Sequence, residues 1–417
     1  MMQPIATLFF EPLDVLVFRD HRPFVAGQHF LARSVFPLPS VFFGALRTVL
    51  FERAGVRFGA FNEDPFRALG DDDRALLGDA DEPGALQLEG PLLAMKDEAT
   101  QAPSVFLPWP RDLDVGKPQN ETLPVYPAYP RPTAGTSLRW RLQSPQGALH
   151  QLTHLPASAL PRDGKPDTEA RLLTAAGAHK YCSASASGTP HVDLTRGADF
   201  VPERCILTRE QRTGIARTRA DADHPDPLTV EESMLYTVET WRLARGAGFL
   251  VDLHLADHQP AREAHLRNIL ADIHGALVRL GGKGHLARIT IYPGHNSPLE
   301  SLRQTTSAIA GSTTAAARKA WCLTPSVLER MDHTMVLERM DHTMVLGDTL
   351  RLGGVNLRAT KQSPRGPRPL VGALAPGAVV FLDKPTALTP HLSAPPGHPA
   401  CAGYGVHLSI PYTRPGA

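Results

Sequence analysis

The sequence predicts an α+β protein made of two units in which helices alternate with mostly antiparallel strands. Its 417 residues exceed one ordinary core, since domains usually hold about 100–200 residues. Apolar runs of strand type and of helical spacing occur in both halves. The 39 prolines and 34 glycines indicate many loops rather than a helical bundle. We therefore expect two domains, residues 1–200 with acidic and Pro-rich insertions and residues 201–417 with a Gly-rich loop.

The first half begins with a strand and a helix. The apolar run at 5–18 is interrupted by Pro12, which predicts a bent strand or two short ones. The segment 37–55 has apolar residues at helical spacing. Ser40 is its predicted N-cap, and Gly55 follows its predicted end.

An acidic stretch follows this helix. Residues 52–98 hold twelve acidic and five basic side chains, which predicts a solvated loop with a short helix. Further along the chain, Pro-rich and small-residue sequence fills 114–136 and 144–200, and we place the domain boundary near there. The predicted strands are 86–93 and 104–110, and the predicted loops are 114–136 and 144–200.

The second half repeats the strand and helix signals. Apolar residues at helical spacing predict a helix over 261–280, which Gly281 and Gly282 terminate. Predicted strands surround it at 205–209, 234–243, 248–255 and 285–294.

Composition excludes several classes of protein. The 43 basic and 42 acidic residues give a net charge of +1, so any contact with nucleic acid depends on local basic patches. The four cysteines form no Cys-x-x-Cys pair, so neither a zinc ribbon nor a disulfide framework is predicted. The N-terminus lacks the basic region of a signal peptide, and no apolar run reaches membrane-spanning length. We expect a cytoplasmic protein that does not bind a membrane.

The nine residues LERMDHTMV occur at 328–336 and again at 337–345. One tandem copy is too short for a solenoid, which needs several repeats of about 20–50 residues. We favour a duplication tolerated in an exposed loop over a duplicated metal site.

Three segments together resemble a known family: PLDVLVFRDHRPF (12–24), PLPSVFFGALRTVL (37–50) and LVRLGGKGHLAR (277–288). They are similar to the RAMP superfamily of CRISPR proteins and, more narrowly, to the third subunit of type III-B (Cmr) RNA-guided effector complexes. Segments 104–113, 211–218, 234–243, 319–327 and 352–357 fit the same layout in order.

The resemblance implies two ferredoxin-like (RRM-like) domains with long loop insertions, and a structural rather than catalytic role. It also implies three partners. These are the 5′ end of the CRISPR RNA, the large polymerase-like subunit and the backbone RAMP subunit. No cofactor is expected.

The helix beginning near Ser40 offers backbone N–H groups and a positive dipole end, which suit a phosphate. Gly44 would let RNA approach closely, and Arg47 lies one turn further on. Alternatively, Gly44 serves tight packing against a sheet and Arg47 is solvated. The resemblance favours RNA contact at all three residues.

The Gly-rich loop contains Gly281, Gly282 and Lys283. Glycines allow positive φ angles and expose backbone amides, so such a loop can hold a phosphate while Lys283 adds charge. It is not a Walker A loop, because no Gly-Lys-Ser/Thr occurs. The alternative is a plain helix C-cap followed by a turn.

The charged loop after the first strand contains Arg19, Arg22 and Phe24. The arginines would contact phosphates and the ring would stack on a base. The alternative is an internal ion pair between Asp20 and an arginine. Further basic residues occur at Arg204, Arg209, Arg212, Arg217 and Arg219, and in the segment 349–417.

No hydrolase motif or metal-ligand motif is present, so we predict neither catalytic nor metal-binding residues. The alternative function is a metal-independent endoribonuclease that processes CRISPR RNA. There, His21 or His29 would act as the general base for attack by a 2′-hydroxyl.

Overall fold

The computed structural model of the protein describes most of the chain. The described residues are 3–19, 31–57, 65–79, 82, 84–132, 142–143, 149–152, 169–217, 230–257, 259–294, 297–312, 317–328, 342–352, 355–356, 366–367, 371–382, 392–393 and 402–413.

Within these residues the chain forms five α-helices and 27 β-strands. The helices are α1 (Pro39–Arg53), α2 (Asp71–Leu77), α3 (Ala175–Ser187), α4 (Pro260–Ile273) and α5 (Pro298–Gly311). The strands of the first half are β1 (Ala6–Pro12), β2 (Leu31–Ala32), β3 (Leu86–Lys96), β4 (Pro103–Pro108), β5 (Leu113–Val115), β6 (Thr122–Pro127), β7 (Pro130–Pro132), β8 (Leu142–Gln143), β9 (Leu149–Leu152), β10 (Arg171–Leu173), β11 (Val192–Thr195) and β12 (Phe200–Pro202).

The strands of the second half are β13 (Leu207–Arg217), β14 (Val230–Leu243), β15 (Ala247–Leu255), β16 (Leu277–Arg279), β17 (Leu286–Pro293), β18 (Ala317–Cys322), β19 (Val327–Leu328), β20 (His342–Leu346), β21 (Thr349–Leu352), β22 (Val355–Asn356), β23 (Gly366–Pro367), β24 (Val371–Leu374), β25 (Val379–Leu382), β26 (Leu392–Ser393) and β27 (His407–Tyr412). None of the described helices is long and apolar enough to cross a membrane.

An eight-stranded sheet, antiparallel at every pairing, organises the chain in the order β12-β10-β4-β3-β15-β1-β17-β16. The α+β class is therefore confirmed. Four of its strands alternate with α1 and α4 along the chain as β1-α1-β3-β15-α4-β17, which is the β-α-β-β-α-β sequence of a ferredoxin-like unit.

This unit takes strands from both halves of the chain. Strands β15 and β17 pair with the two sides of β1. One sheet therefore contains strands from before and after the predicted boundary at residue 200. Residues 97–246 are inserted between the second and third strands of the unit. The division into two ferredoxin-like domains stays a prediction.

Each face of the central sheet packs against its own buried core. Side chains alternate across a strand, so Leu8 and Phe10 of β1 enter one core while Phe9 enters another. The first core also holds apolar residues of α1 and α4. The second core holds residues of α3 and α5 together with those of the four-stranded sheet β20-β25-β18-β27.

Two helices differ from the predictions. The helix after β15 ends at Ile273 and not at residue 280, because His274 is extended and Gly275 has a φ of 81°. Leu277–Arg279 then pairs with β17 as the edge strand β16. The predicted loop at 144–200 contains α3, whose many Ala and Ser residues gave no strong apolar period.

A buried ion pair joins the four-stranded sheet to the loop after β4. Lys319 of β18 donates to Asp112 at 2.5 Å, and both side chains are fully buried. The other carboxylate oxygen of Asp112 accepts from the Tyr181 hydroxyl of α3 at 2.7 Å. The Lys319 ammonium also lies 4.4 Å from the centre of the Tyr181 ring.

We predict that Lys319→Met lowers the free energy of unfolding by about 3–5 kcal/mol, because Asp112 becomes a buried, uncompensated charge. Urea denaturation measures the change. The exposed pair Arg267–Glu263 of α4 supplies the control, and Arg267→Met should cost no more than about 0.5 kcal/mol. Equal effects of the two substitutions would contradict the role given to the buried pair.

The tandem repeat is partly built into the second sheet. The end of its second copy forms β20, which pairs with β25, whereas residues 329–341 lie outside the described residues. Because the copies are identical, either copy can supply β20 after a deletion. The nine additional residues then belong to the connection between β19 and β20.

We predict that deleting 337–345 shifts the melting temperature by a few degrees at most and leaves RNA binding unchanged. The entropic cost of closing a loop changes slowly with its length, and the remaining copy still provides the strand sequence. Differential scanning fluorimetry measures the shift. An unfolded deletion variant would show that both copies are required by the core.

Candidate nucleic-acid interface

The three segments that carry the resemblance meet at one end of β1. The Phe18 ring lies 6.4 Å from the Phe42 ring of α1, centre to centre. The Val17 carbonyl, just before Phe18, accepts a hydrogen bond from the Gly282 N–H at 2.8 Å. Residues far apart in sequence therefore form a continuous structure of strand end, helix and Gly-rich loop.

The Gly-rich loop, residues 281–284, is not a helix C-cap. It joins β16 to β17 as the turn of a β-hairpin, because the preceding helix has already ended at Ile273. Gly281 has a φ of 77°, and a Cβ there would lie 2.6 Å from the Val17 carbonyl oxygen. Only glycine satisfies both constraints.

Lys283 lies at the tip of this loop in the left-handed conformation, with a φ of 60°. Its ammonium donates to the Tyr236 hydroxyl at 3.0 Å and lies 4.4 Å from the centre of that ring. The ring crosses β13 at Gly214, where a Cβ would lie 2.3 Å from it. Tyr236 and Gly214 thus position an exposed cation, a pairing that the sequence analysis missed.

The imidazole of His285 follows Lys283 but adds little positive charge. Burial lowers its pKa, the charges of Arg212 and Lys283 act in the same direction, and Asp14 opposes them. A positive charge at the loop tip therefore comes from Lys283.

The predicted N-cap of α1 is wrong. Leu38 occupies the N-cap position and Pro39 is the first helical residue, so Ser40 lies within the first turn. The Ser40 hydroxyl and the Tyr404 hydroxyl are 2.9 Å apart and share a hydrogen bond. Ser40 thereby connects α1 to the C-terminal part of the chain.

Gly44 is exposed on α1, and a Cβ at this position would meet nothing within 4 Å. The packing explanation for this glycine is therefore wrong. Glycine inside a helix costs about 0.5–1 kcal/mol relative to alanine. The open surface leaves room for close approach by another molecule.

Arg47 is not simply solvated, because its guanidinium is held within the fold. It donates to the carbonyl oxygens of Leu77 and Asp79, each at 2.9 Å. It also lies 5.4 Å and 4.9 Å from the centres of the Phe43 and Phe51 rings. Its contact with RNA stays a prediction.

Arg19 is exposed and forms an isolated antiparallel bridge with Ser34. The remaining predicted residues of this loop, Arg22 and Phe24, lie outside the described residues, as do His21 and His29.

Several arginines proposed for a basic face are engaged in ion pairs. Arg204 pairs with Glu169, and Arg209 with Glu203 at 2.8 Å. Arg212 pairs with Asp14 and Glu210, and so does Arg242 of β14, which the sequence analysis did not name. Exposed pairs of this kind reduce the positive field available to a nucleic acid.

A cavity of about 270 Å³ lies between the central sheet and the C-terminal part of the chain. Its lining includes Phe36, Phe106, Trp109, Arg171 and Trp241. Arg171 lies 6.0 Å from the centre of the Trp109 ring. The lining suits an apolar or planar group, and no sequence motif indicated it. The described residues hold no cluster of three metal-ligating side chains.

The model of the family Cas_Cmr3, CRISPR-associated protein, matches residues 8–398. The chain belongs to the Cas_Cmr3 family. The resemblance drawn from the three segments is thus confirmed at the level of the family. No curated protein matches the chain in sequence.

Solved structures provide two further likenesses to this Cas_Cmr3 chain. One is a chain of the cryo-EM structure of the type III-B Cmr-beta complex bound to cognate target RNA and AMPPnP. It is 13% identical, with a TM-score of 0.42 over 90% of this chain and 86% of that one. The other comes from the crystal structure of a Csm3–Csm4 subcomplex of the type III-A CRISPR-Cas interference complex. It is 10% identical, with a TM-score of 0.38 over 98% and 99% of the two chains.

We predict opposite effects on stability from two glycine substitutions in this Cas_Cmr3 protein. Gly281→Ala should lower the free energy of unfolding by more than about 1 kcal/mol, because its φ is positive and its Cβ meets Val17. Gly44→Ala should raise it by about 0.5–1 kcal/mol. Urea denaturation of both variants gives the comparison. A Gly281→Ala protein as stable as the parent would contradict the close contact between the loop and Val17.

Proposed function

We propose that this Cas_Cmr3 protein is a non-catalytic, RNA-binding scaffold subunit of a type III-B CRISPR effector complex. Its partners are the 5′ end of the CRISPR RNA, the large polymerase-like subunit and the backbone RAMP subunit. The observation that carries the proposal is the family match over nearly the whole chain, 8–398.

The proposed RNA surface consists of Arg19, the exposed side of α1 at Ser40 and Gly44, and the Gly-rich loop with Lys283. Arg22 and Phe24, which follow Arg19 in the sequence, are also proposed to contact RNA. The contacts between these elements support the proposed surface. The loop rests on Val17, two residues before Arg19, and α1 packs on the same strand end through Phe42. Arg47 would have to release two backbone carbonyls to reach a phosphate, so it contributes least.

We also infer a second ferredoxin-like domain from the rest of the fold. The four-stranded antiparallel sheet β20-β25-β18-β27 packs against α3 and α5, which is the layer composition of such a domain. In this proposed domain, helix α3 precedes residue 200, whereas α5 and the four strands follow it.

We predict that Lys283→Asn reduces the salt dependence of binding to a guide RNA. On single strands, the logarithm of affinity falls by about 0.7 per phosphate neutralised for each unit of log salt concentration. Loss of one contact should therefore reduce the slope by about 0.7. Asparagine removes the charge and tolerates the left-handed conformation of this position. Fluorescence anisotropy at several salt concentrations measures the slope.

The matched control is Lys117→Asn, since Lys117 is also exposed but lies in the loop between β5 and β6. Its slope should equal that of the parent. The measurement is made on the complex assembled with its other subunits, with EDTA present, and the RNA should remain uncut. Identical slopes for parent and Lys283→Asn would exclude a phosphate contact at the loop. Site-specific cleavage in EDTA would contradict the non-catalytic role.

A further inference from the structure

Three leucines and two arginines form an exposed patch at the edge of the central sheet, here called the leucine–arginine patch. Leu13, Leu277 and Leu286 are 52%, 49% and 37% exposed. Arg279 and Arg288 lie among them and are exposed as well. Large apolar side chains that are exposed together, rather than singly, are typical of sites that contact another molecule.

Strand pairing brings these side chains together. In the hairpin of β16 and β17, Leu277 lies opposite Arg288, and Arg279 lies opposite Leu286. Residues directly opposite on antiparallel strands project from the same face of the sheet. Leu13, one residue past β1, donates its N–H to the Leu286 carbonyl at 3.0 Å. The patch therefore crosses three neighbouring strands.

The same face of the sheet is covered elsewhere by helices. Arg288 lies opposite Glu11 of β1, and Phe9, two residues earlier, belongs to the second core together with Leu299 and Leu302 of α5. The helical layer therefore stops between Phe9 and the patch. Strand β16 is also the last strand of the sheet order, and no described strand pairs with its outer edge.

The charged side chains of the patch are both arginines. Arg279 and Arg288 take part in no ion pair with any described residue, unlike Arg212 and Arg242 nearby. Two acidic side chains lie beside the patch and already have partners: Glu11, opposite Arg288, pairs with Lys96 at 2.7 Å, and Asp14 pairs with Arg212 and Arg242. A partner that covers the leucines would therefore complement the two arginines with carboxylates.

We propose that the leucine–arginine patch docks an amphipathic helix of a partner protein, with aliphatic residues along one stripe and Asp or Glu beside it. Such a helix continues the layer formed by α3 and α5. RNA fits less well, because bases stack on aromatic rings and the patch offers leucines. This inference rests on the proposed function, since it gives the scaffold subunit a specific protein-binding face.

The test uses the full chain expressed with the other subunits of its type III-B complex and the guide RNA. A photo-crosslinking amino acid, benzoylphenylalanine, replaces Leu277 or, as the control, Leu235 on β14, which is 58% exposed but outside the patch. The expected product at 277 is a crosslink to a protein peptide with the stated helical pattern, identified by mass spectrometry. A crosslink to RNA, or none from an assembled complex, would overturn the proposal.

Substitution gives an independent measurement. The double substitution Leu277→Lys and Leu286→Lys should raise the dissociation constant of the partner subunit about tenfold or more, because two leucines are no longer buried in the interface. Leu235→Lys should leave retention unchanged. If the complex holds RNA and all subunits regardless of patch substitutions, this inference fails and the scaffold role stands. If the parent chain retains neither RNA nor any subunit, the proposed function fails and the inference fails with it.

Discussion

Strand β1 pairs with β15 on one side and β17 on the other, while its alternate side chains enter two different cores. A strand buried on both faces has no solvated side, so apolar layers must be assembled above and below it. Helices α1 and α4 provide one layer, and α3, α5 and the second sheet provide the other. The candidate interface lies where this strand ends, since Val17 supports the Gly-rich loop and Phe18 supports α1. Its position is thus a consequence of the position of β1.

Burial on both faces also requires that polar groups inside the layers find partners. Asp252 of β15 accepts hydrogen bonds from the hydroxyls of Thr7 and Ser297, although burial still raises its pKa. Burial acts on neighbouring Glu89 too, but the hydrogen bonds of Arg303 and the charges of Arg303 and His254 outweigh it and lower the Glu89 pKa to about 2. Glu89 therefore stabilises the fold fully above its unfolded-state pKa, and this contribution is lost as the pH falls through about 2. Together with the Lys319–Asp112 pair, these contacts join segments distant in sequence.

Charge pairing explains how a nearly neutral chain keeps exposed positive charge at only a few places among its described residues. Many arginines of β13 and β14 are neutralised by acidic neighbours, which leaves the positive field local. Lys283 stands at the tip of the Gly-rich loop, held by Tyr236, whereas Arg279 and Arg288 lie among leucines at the sheet edge. A point charge beside an open backbone suits a phosphate. Charges around an apolar surface suit a protein partner.

The sequence by itself determined the α+β class, the position of α1, most strands of the central sheet and the family, because these depend on local periodicity and on motifs. It also identified Gly281 and Lys283 as a unit. Tertiary structure decided the rest. Sequence spacing could not show that Arg47 binds two carbonyls, that Gly44 faces open space, or that β15 and β17 flank β1. Nor could it end α4 at Ile273, since Leu277 continues the helical period and only its pairing with β17 makes it a strand. Such features depend on which segments of the chain pack together, and these tertiary contacts leave no periodic signal in the sequence.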